Sequence, residues 1–280
     1  MKPITLFAAL LLAASASLMR PPASFAGMPQ PMCVYYGQAK DGFGLPYLKD
    51  AEVILLRGTN EIARQTIKGS LTPGVNFALY VHLDAGGTIA PYSPRALHSG
   101  DIVTIYVRDT YGEIVVMENK RVPAVGQPGD IILQNVTASA DSNDDGLPDL
   151  WEYELIAYSG GLLRTLDDVK PGDDFDGDGV SNRDEYLAGT FPFLSDDYFR
   201  VEQTGLTRNG RLSMTFLSVP GKIYTVISCP DIVHPVWTPC QFGVSETAPL
   251  QLTPAEGTGD WLSLYAPVGA APRFLRLLVQ

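Results

Sequence analysis

Short runs of β-branched and aromatic residues, separated by turn residues, dominate the chain between about residues 32 and 138. Runs of this length, bounded by Gly, Pro, Asn and Asp, are typical of strands, and no helical period accompanies them. The predicted strands include residues 52–56, 77–81, 102–107, 113–117 and 130–136. About seven short strands in a region of this size predict a β-sandwich.

The pattern changes in the segment 139–195, which is acidic and has two short helical stretches. Residues 150–156 have apolar positions at helical spacing, with Pro148 near their start and Ser159-Gly160-Gly161 at their end. Residues 182–188 form the second predicted helix, which Gly189 ends.

Strand patterns return after residue 196. The predicted strands are 199–202, 212–217, 223–228 and 274–279, which together suggest a second, smaller β-sandwich. The sequence therefore predicts a mainly β fold in which two β-sandwich domains, 27–138 and 196–280, are joined by the segment 139–195 with its short helices.

The composition is typical of a folded protein that does not bind nucleic acid. Hydrophobic residues make up 45% of the 280 positions and charged residues 18%, so the chain can bury real cores. The net charge is −11, and no basic patch is available to neutralise phosphates.

The amino terminus has the pattern of an export signal. Lys2 precedes an uncharged apolar run at 6–18, and Ser24-Phe25-Ala26 places small residues where a signal peptidase cleaves. We expect cleavage after Ala26, removing residues 1–26; Ala14-Ser15-Ala16 is a second candidate, and an uncleaved membrane anchor is the alternative. No later segment is long and apolar enough to span a bilayer. The predicted location is secreted or extracellular, which includes the periplasm and the cell surface.

The three cysteines fit an oxidising compartment. Cys229 and Cys240 close a short loop, and a disulfide between them would stabilise the fold by about 3 kcal/mol. Cys33 is left without a partner. Buried free thiols are the alternative for all three.

Two acidic stretches in the middle segment have the spacing of the twelve-residue calcium loop, with ligands at positions 1, 3, 5, 7, 9 and 12 and Gly at position 6. We call residues 141–152 loop 1 and residues 174–185 loop 2. The predicted ligands are Asp141, Asn143, Asp145, Leu147, Asp149 and Glu152 in loop 1, and Asp174, Asp176, Asp178, Val180, Asn182 and Glu185 in loop 2.

Each position in this pattern has a physical reason. Calcium takes six to eight oxygens, and alternating acids aim theirs at one point as the chain curls. Gly146 and Gly179 allow the sharp turn, while the seventh residue donates only its carbonyl, so Leu147 and Val180 can be apolar. The sequence predicts two bound Ca²⁺ ions; the alternatives are solvated acidic turns and loops that hold magnesium or are empty.

The stretches Asp-Ser-Asn-Asp-Asp-Gly-Leu-Pro-Asp-Leu-Trp-Glu and Asp-Phe-Asp-Gly-Asp-Gly-Val-Ser-Asn-Arg-Asp-Glu-Tyr-Leu-Ala-Gly-Thr resemble the thrombospondin type 3 repeats of secreted bacterial multidomain proteins. They are also similar to dockerin and EF-hand loops. The resemblance covers roughly 141–192 and implies structural calcium sites in an extracellular linker. Pro148 and Ser181 stand where an EF-hand pair has apolar residues, so a calmodulin-like sensor is not predicted.

The end of the chain resembles, more weakly, the β-rich domain that often follows such repeats. The residues that carry this likeness are Gly189 and Thr190 together with the stretches 220–224 and 273–276. The resemblance implies no activity for this region.

No enzyme signature is found: the chain lacks GxSxG, HExxH, P-loop and dinucleotide motifs, and His82, His98 and His234 are scattered. We expect a non-enzymatic structural or interaction protein whose calcium loops rigidify the connector between β domains. Two alternatives stay open. The first is a carbohydrate-binding or cohesin-docking accessory protein with a polysaccharide or surface-protein partner, in which Tyr35, Tyr36, Phe43, Tyr47 and Tyr92 could form a ligand platform. The second is a hydrolase with an unrecognised site.

Overall fold

The computed structural model describes residues 28–85, 92–269 and 274–280, and this part of the chain is mainly β with two α-helices. The export signal predicted for residues 1–26 lies outside the described residues. No helix within them is long and apolar enough to cross a membrane.

Strands occupy most of the chain before the first α-helix. They are β1 (Pro29–Gly37), β2 (Ala39–Asp41), β3 (Glu52–Arg57), β4 (Asn60–Thr66), β5 (Phe77–Asp84), β6 (Thr104–Asp109), β7 (Gly112–Val115), β8 (Ile131–Leu133) and β9 (Val136–Ala138). A 3-10 helix, Met117–Arg121, lies between β7 and β8.

Two sheets of this region share one core. One sheet has the strand order β5-β1-β8 and the other has the order β4-β3-β6-β7. Alternate residues of β1, such as Cys33 and Tyr35, point inward with Val53, Leu55 and Ile105 of the second sheet, and all are fully buried. Because side chains alternate along a strand, one face of each sheet fills the core. β2 and β9 form a separate parallel pair.

The middle segment has its own small core. It contains α1 (Asp149–Tyr158), a 3-10 turn (Leu166–Asp168) and α2 (Asn182–Ala188). Its core cluster consists of Leu147, Trp151, Leu155, Val169 and Tyr186. The side chain of Ser181 caps α2 by accepting from the Asp184 N–H, and Gly189 ends the helix in the left-handed conformation at φ 79°.

The carboxyl-terminal region consists of short strands around a third core. The strands are β10 (Gln203–Leu206), β11 (Arg211–Leu217), β12 (Ile223–Cys229), β13 (Thr238–Cys240), β14 (Ala255–Glu256), β15 (Trp261–Pro267) and β16 (Phe274–Val279). One sheet has the order β10-β11-β15, and in the other β12 pairs with β13, β14 and β16. Phe216, Tyr224 and Phe242 lie in the core between them.

The turn before β12 joins the carboxyl-terminal region to the other two. Gln38 Nε2 donates to the carbonyl of Gly221 across 2.9 Å. Lys222 is 1% exposed, and its Nζ donates to the carbonyl of Leu187 across 2.6 Å, at the end of α2. Burial, and then the charge of Lys40, lower the pKa of Lys222 to about 7. The three regions are therefore held together by buried polar contacts.

Several predicted elements are correct and others are wrong. The helix 182–188 and the strand 274–279 have the predicted bounds. Residues 130–136 were predicted as one strand but form two, in different sheets, because the chain leaves β1 at Leu133 and joins β2 at Val136. Residues 199–202 are not a strand, and pairing with β11 begins at Gln203.

The disulfide between Cys229 and Cys240 does not form; both residues, and Cys33, are buried free thiols. The strand register explains this. Cys240 pairs with Val226, three residues before Cys229, and Cys229 instead pairs with Phe274 of β16. A three-residue offset separates the two Cα atoms by about 10 Å, which exceeds the span of a disulfide.

Candidate metal centre

Loop 2 curls around the carboxylate of its first residue. Asp174 accepts from the N–H of Gly177 and from the N–H of Gly179, each across 2.8 Å. Gly179 has φ 95°, a conformation that residues other than Gly rarely adopt. Asp178 Oδ1 accepts from the Val180 N–H across 2.7 Å, which directs the rest of its carboxylate inward.

This curl brings three carboxylates together. One oxygen from each of Asp174, Asp176 and Asp178 lies within 4.8 Å of the others. Like charges at this separation repel, and a cation bound among them would remove the repulsion.

Helix α2 closes loop 2 from the other side. Glu185 is 0% exposed and points both carboxylate oxygens into the interior without a hydrogen-bond donor. Asn182 is held by its amide N–H group, which donates to the carbonyl of Lys170 across 2.8 Å. The Oδ1 atom of Asn182 is buried and has no donor. Because Asn182 and Glu185 are three residues apart on α2, they share one face of the helix.

Loop 1 has the same curl. Asp141 accepts from the N–H groups of Asp145 and Gly146, each across 3.2 Å. Asp145 Oδ1 accepts from the Leu147 N–H across 2.9 Å, and Gly146 has φ 94°. The side chain of Leu147 is fully buried in the middle core, which anchors the loop.

The amide nitrogen of Asn143 lies where the oxygens of loop 1 converge. Nδ2 is 3.2 Å from Asp145 Oδ2, 3.1 Å from Glu152 Oε1 and 3.3 Å from the carbonyl oxygen of Leu166. The positive end of the amide thus fills the position that a cation would take among these oxygens. Asn143 Oδ1 is buried without a donor, and rotation of the amide would turn it toward the same point.

One predicted ligand of loop 1 is engaged elsewhere. Asp149 accepts from the Ser142 N–H with Oδ1 and from the Ser142 hydroxyl with Oδ2, both across 2.6 Å. Its counterpart in loop 2 is Asn182, whose Oδ1 is free of donors. The structure therefore brings Asp174, Asp176 and Asp178 together in loop 2 and places Asn143 against Asp145 and Glu152 in loop 1, whereas Asp149 is turned to Ser142.

The unpaired buried polar atoms are concentrated at the predicted ligand positions of the two loops. Among the described residues, eight buried side-chain polar atoms have no hydrogen-bond partner. Seven of them are oxygens at predicted ligand positions, and Thr190 Oγ1 is the other. These seven oxygens are Asn143 Oδ1, Glu152 Oε2, Asp176 Oδ2, Asp178 Oδ2, Asn182 Oδ1, Glu185 Oε1 and Glu185 Oε2. Since buried polar atoms are nearly always paired, oxygens concentrated in this way fit a metal ion.

Burial and crowding also change the acidity of the last ligand in each loop. Burial, and then the charges of Asp176, Asp178 and Asp174, raise the pKa of Glu185 to about 8. Burial, and then the charge of Asp145, raise the pKa of Glu152 to about 7. A bound divalent cation would reverse this and hold both groups ionised.

The aromatic residues considered as a ligand platform do not lie together. Tyr35 is in the core, where its hydroxyl donates to the carbonyl of Pro123 across 2.8 Å. Phe43 and Tyr47 line one cavity of about 410 Å³ with Tyr111, which the sequence did not single out. Tyr36 and Tyr92 are outside that cavity's lining.

Comparison of the chain with protein-family models, with curated proteins and with solved structures found no match.

Proposed function

We propose that this chain is an exported, non-enzymatic protein in which two calcium ions rigidify the connector between two β-sandwich domains. The observation that carries the proposal is the set of seven buried ligand oxygens without donors. Hard oxygen ligands from carboxylates, amides and carbonyls are the set that calcium prefers, and magnesium demands a tighter octahedral arrangement.

The position of the loops supports a structural role for the metal. Loop 1 is tied to the region before it by the ion pair between Arg121 and Asp144. Loop 2 ends in α2, whose last carbonyls accept from Lys222. An ion that orders either loop would thus fix a segment that contacts the β regions on both sides, and binding energy would become folding energy for the connector.

The resemblance to thrombospondin type 3 repeats agrees with this proposal, because such repeats imply structural calcium in extracellular linkers. The same reasoning favours a location outside the cell, because extracellular calcium is millimolar. In this proposal the sandwiches supply the interaction surfaces and the loops set the angle between them.

Calorimetry on calcium-depleted protein tests the proposal. We expect two sites, and limited proteolysis in chelator should cleave residues 139–195 before either β region. Asp178→Ala should remove one site, while Asp184→Ala, which changes an exposed acid at a non-ligand position of loop 2, should keep both. The absence of heat at millimolar calcium would overturn the proposal.

The cavity beside loop 1 favours a carbohydrate ligand as a second candidate function. Phe43, Tyr47 and Tyr111 line it, and Asp109 accepts from the Tyr47 hydroxyl across 3.3 Å and from the Tyr111 N–H across 2.7 Å. Aromatic faces beside hydrogen-bonding carboxylates suit sugar rings. Retention on polysaccharide that Tyr47→Ala abolishes and Tyr80→Ala preserves would support this candidate, and equal retention of both variants would contradict it.

A further inference from the structure

The 3-10 turn Leu166–Asp168 is held rigidly although it is short and lies outside both loops. Asp168 Oδ2 accepts from the N–H groups of Arg164 and Thr165, each across 2.9 Å. The Asp168 N–H donates to the carbonyl of Thr165 across 3.0 Å, and the two side chains complete a reciprocal cap. Val169, directly after the turn, is buried in the same core cluster as Leu147 of loop 1.

This turn directs a backbone carbonyl at loop 1. The oxygen of Leu166 is 3.3 Å from Asn143 Nδ2, the same nitrogen that contacts Asp145 and Glu152. The Leu166 oxygen also accepts from the Val169 N–H across 3.1 Å, which leaves one lone pair available. Three oxygens from three different parts of the chain therefore converge on one point.

Loop 1 has a reason to need this oxygen. Both oxygens of Asp149, its ninth-position ligand, are taken by Ser142, whereas the ninth-position oxygen of loop 2 is free. Without Asp149, loop 1 offers Asp141, Asn143, Asp145, the Leu147 carbonyl and a bidentate Glu152. That set gives about six oxygens, the lower end of the calcium range, and one further oxygen restores the usual count of about seven.

We propose that the backbone carbonyl of Leu166 is a ligand of the loop 1 ion, supplied from outside the loop in place of Asp149. This inference rests on the proposed function, because it requires calcium in loop 1. The reciprocal cap between Thr165 and Asp168 is then a positioning device for the metal site. The carbonyl brings no charge, so loop 1 holds its ion with one carboxylate fewer than its sequence indicates.

Carbonyl NMR tests the contact directly. The chain contains only two Leu–Asp pairs, Leu83–Asp84 and Leu166–Asp167. Protein labelled with ¹³C-carbonyl leucine and ¹⁵N-aspartate gives one signal from each pair, so Leu83 serves as an internal control in β5. Calcium should move the Leu166 carbonyl signal downfield and leave the Leu83 signal in place. A Leu166 carbonyl that does not move while calorimetry records two calcium sites would overturn this inference and leave the proposed function standing. The absence of all calcium heat would overturn both.

A pair of variants tests the positioning role. Asp168→Ala removes the cap, whereas Asp167→Ala removes the same charge from the neighbouring exposed position without a cap to lose. In a Glu185→Gln background, which disables loop 2, Asp168→Ala should weaken calcium binding about 10- to 100-fold, as loss of a group that orients a ligand does. Asp167→Ala should weaken it about twofold, through screened charge alone.

The same two substitutions without the Glu185→Gln change control for folding. Loop 2 affinity should be unaltered in both, since its ligands and α2 are intact. Equal effects of Asp167→Ala and Asp168→Ala on loop 1 would reduce the turn to a source of negative charge and contradict the positioning role.

Discussion

Loops 1 and 2 have the same spacing of ligand residues but satisfy their oxygens differently. Loop 2 has five buried oxygens without donors, one each on Asp176, Asp178 and Asn182 and two on Glu185. Loop 1 leaves two, because Asn143 donates within the loop and Ser142 engages Asp149. Spacing thus sets which residues line each loop, whereas the neighbouring donors set how many of their oxygens are left without a partner.

This difference predicts that loop 2 is the more calcium-dependent of the two. A metal-free loop 2 buries the carboxylate of Glu185 with no compensating hydrogen bond. A metal-free loop 1 gives Glu152 one donor, Asn143 Nδ2. Since an unpaired buried charge is costly, removal of calcium should affect loop 2 first.

The largest expected effect is that of Glu185→Gln. With calcium, the variant should lose at least about 100-fold in affinity at loop 2, because a bidentate ligand becomes a single neutral oxygen. Without calcium at pH 9, its melting temperature should rise above that of the wild type, since the buried charge is gone. Glu152→Gln should also weaken calcium binding at loop 1 and raise the calcium-free melting temperature, but by smaller amounts. Calorimetry and thermal melts measure both, and equal effects in the two loops would break the comparison.

The next effect is the pH dependence of the calcium-free protein. The pKa of Glu185 is raised from 4.5 to about 8 and that of Glu152 from 4.5 to about 7. A carboxyl group whose pKa is raised by folding contributes stability that is complete below pH 4.5 and is lost as the pH rises through the folded value. The melting temperature should therefore fall between pH 5 and about 8.

Glu185→Gln should make the fall shallower throughout and remove it between about 7 and 8, whereas Glu152→Gln should make the fall shallower only below about 7. Thermal melts in calcium-free buffers from pH 5 to 9 measure both. A profile that is flat over this range would contradict the assignment.

A third effect should distinguish the calcium affinities of the two loops by the contact of α2 with the carboxyl-terminal region. Lys222→Ala removes the donor to the Leu187 carbonyl at the end of α2, a contact worth about 1–3 kcal/mol. We expect weaker calcium binding at loop 2 and no change at loop 1. Lys49→Ala is the control, since Lys49 is exposed and 4.0 Å from its ion-pair partner Asp50. If both loops weaken together, Lys222 stabilises the whole molecule instead of α2.

The smallest effect concerns the two serines. Ser181→Ala removes the cap of α2 and should destabilise loop 2 by about 1 kcal/mol. Ser142→Ala removes one of the two hydrogen bonds that hold Asp149 and should change loop 1 by less, because the Ser142 N–H still donates. Thermal melts of the two variants with and without chelator measure the two losses of stability. A larger loss for Ser142→Ala than for Ser181→Ala would contradict this prediction.

The ligand positions stay a prediction, made because the loop has a fixed spacing in which each residue type has one task. Sequence reasoning predicted the bounds of α2, since Ser181 and Gly189 mark its ends by local chemistry. It missed β1, in which Pro29 and Pro31 argue against a strand, and β4, whose seven residues include five exposed or half-exposed polar side chains.

The sequence could not show that Asp149 is turned away from loop 1 or that Leu166 approaches it. The first depends on a hydrogen bond to Ser142 within the folded loop. The second involves a backbone carbonyl, which every residue possesses and which leaves no trace in the residue type. The register that keeps Cys229 from Cys240 is likewise a property of strand pairing, which spacing along the chain does not reveal.

The contact between Lys222 and α2 also orders the assembly of the molecule in time. A chain that emerges from its amino end has both loop 1 and the turn Leu166–Asp168 before residue 170 is available. The end of α2 must wait for Lys222, which is 35 residues beyond Leu187. The residues of loop 1 are therefore complete in a shorter length of chain than the contacts of loop 2, whose helix α2 meets Lys222 only when the β12 turn has docked.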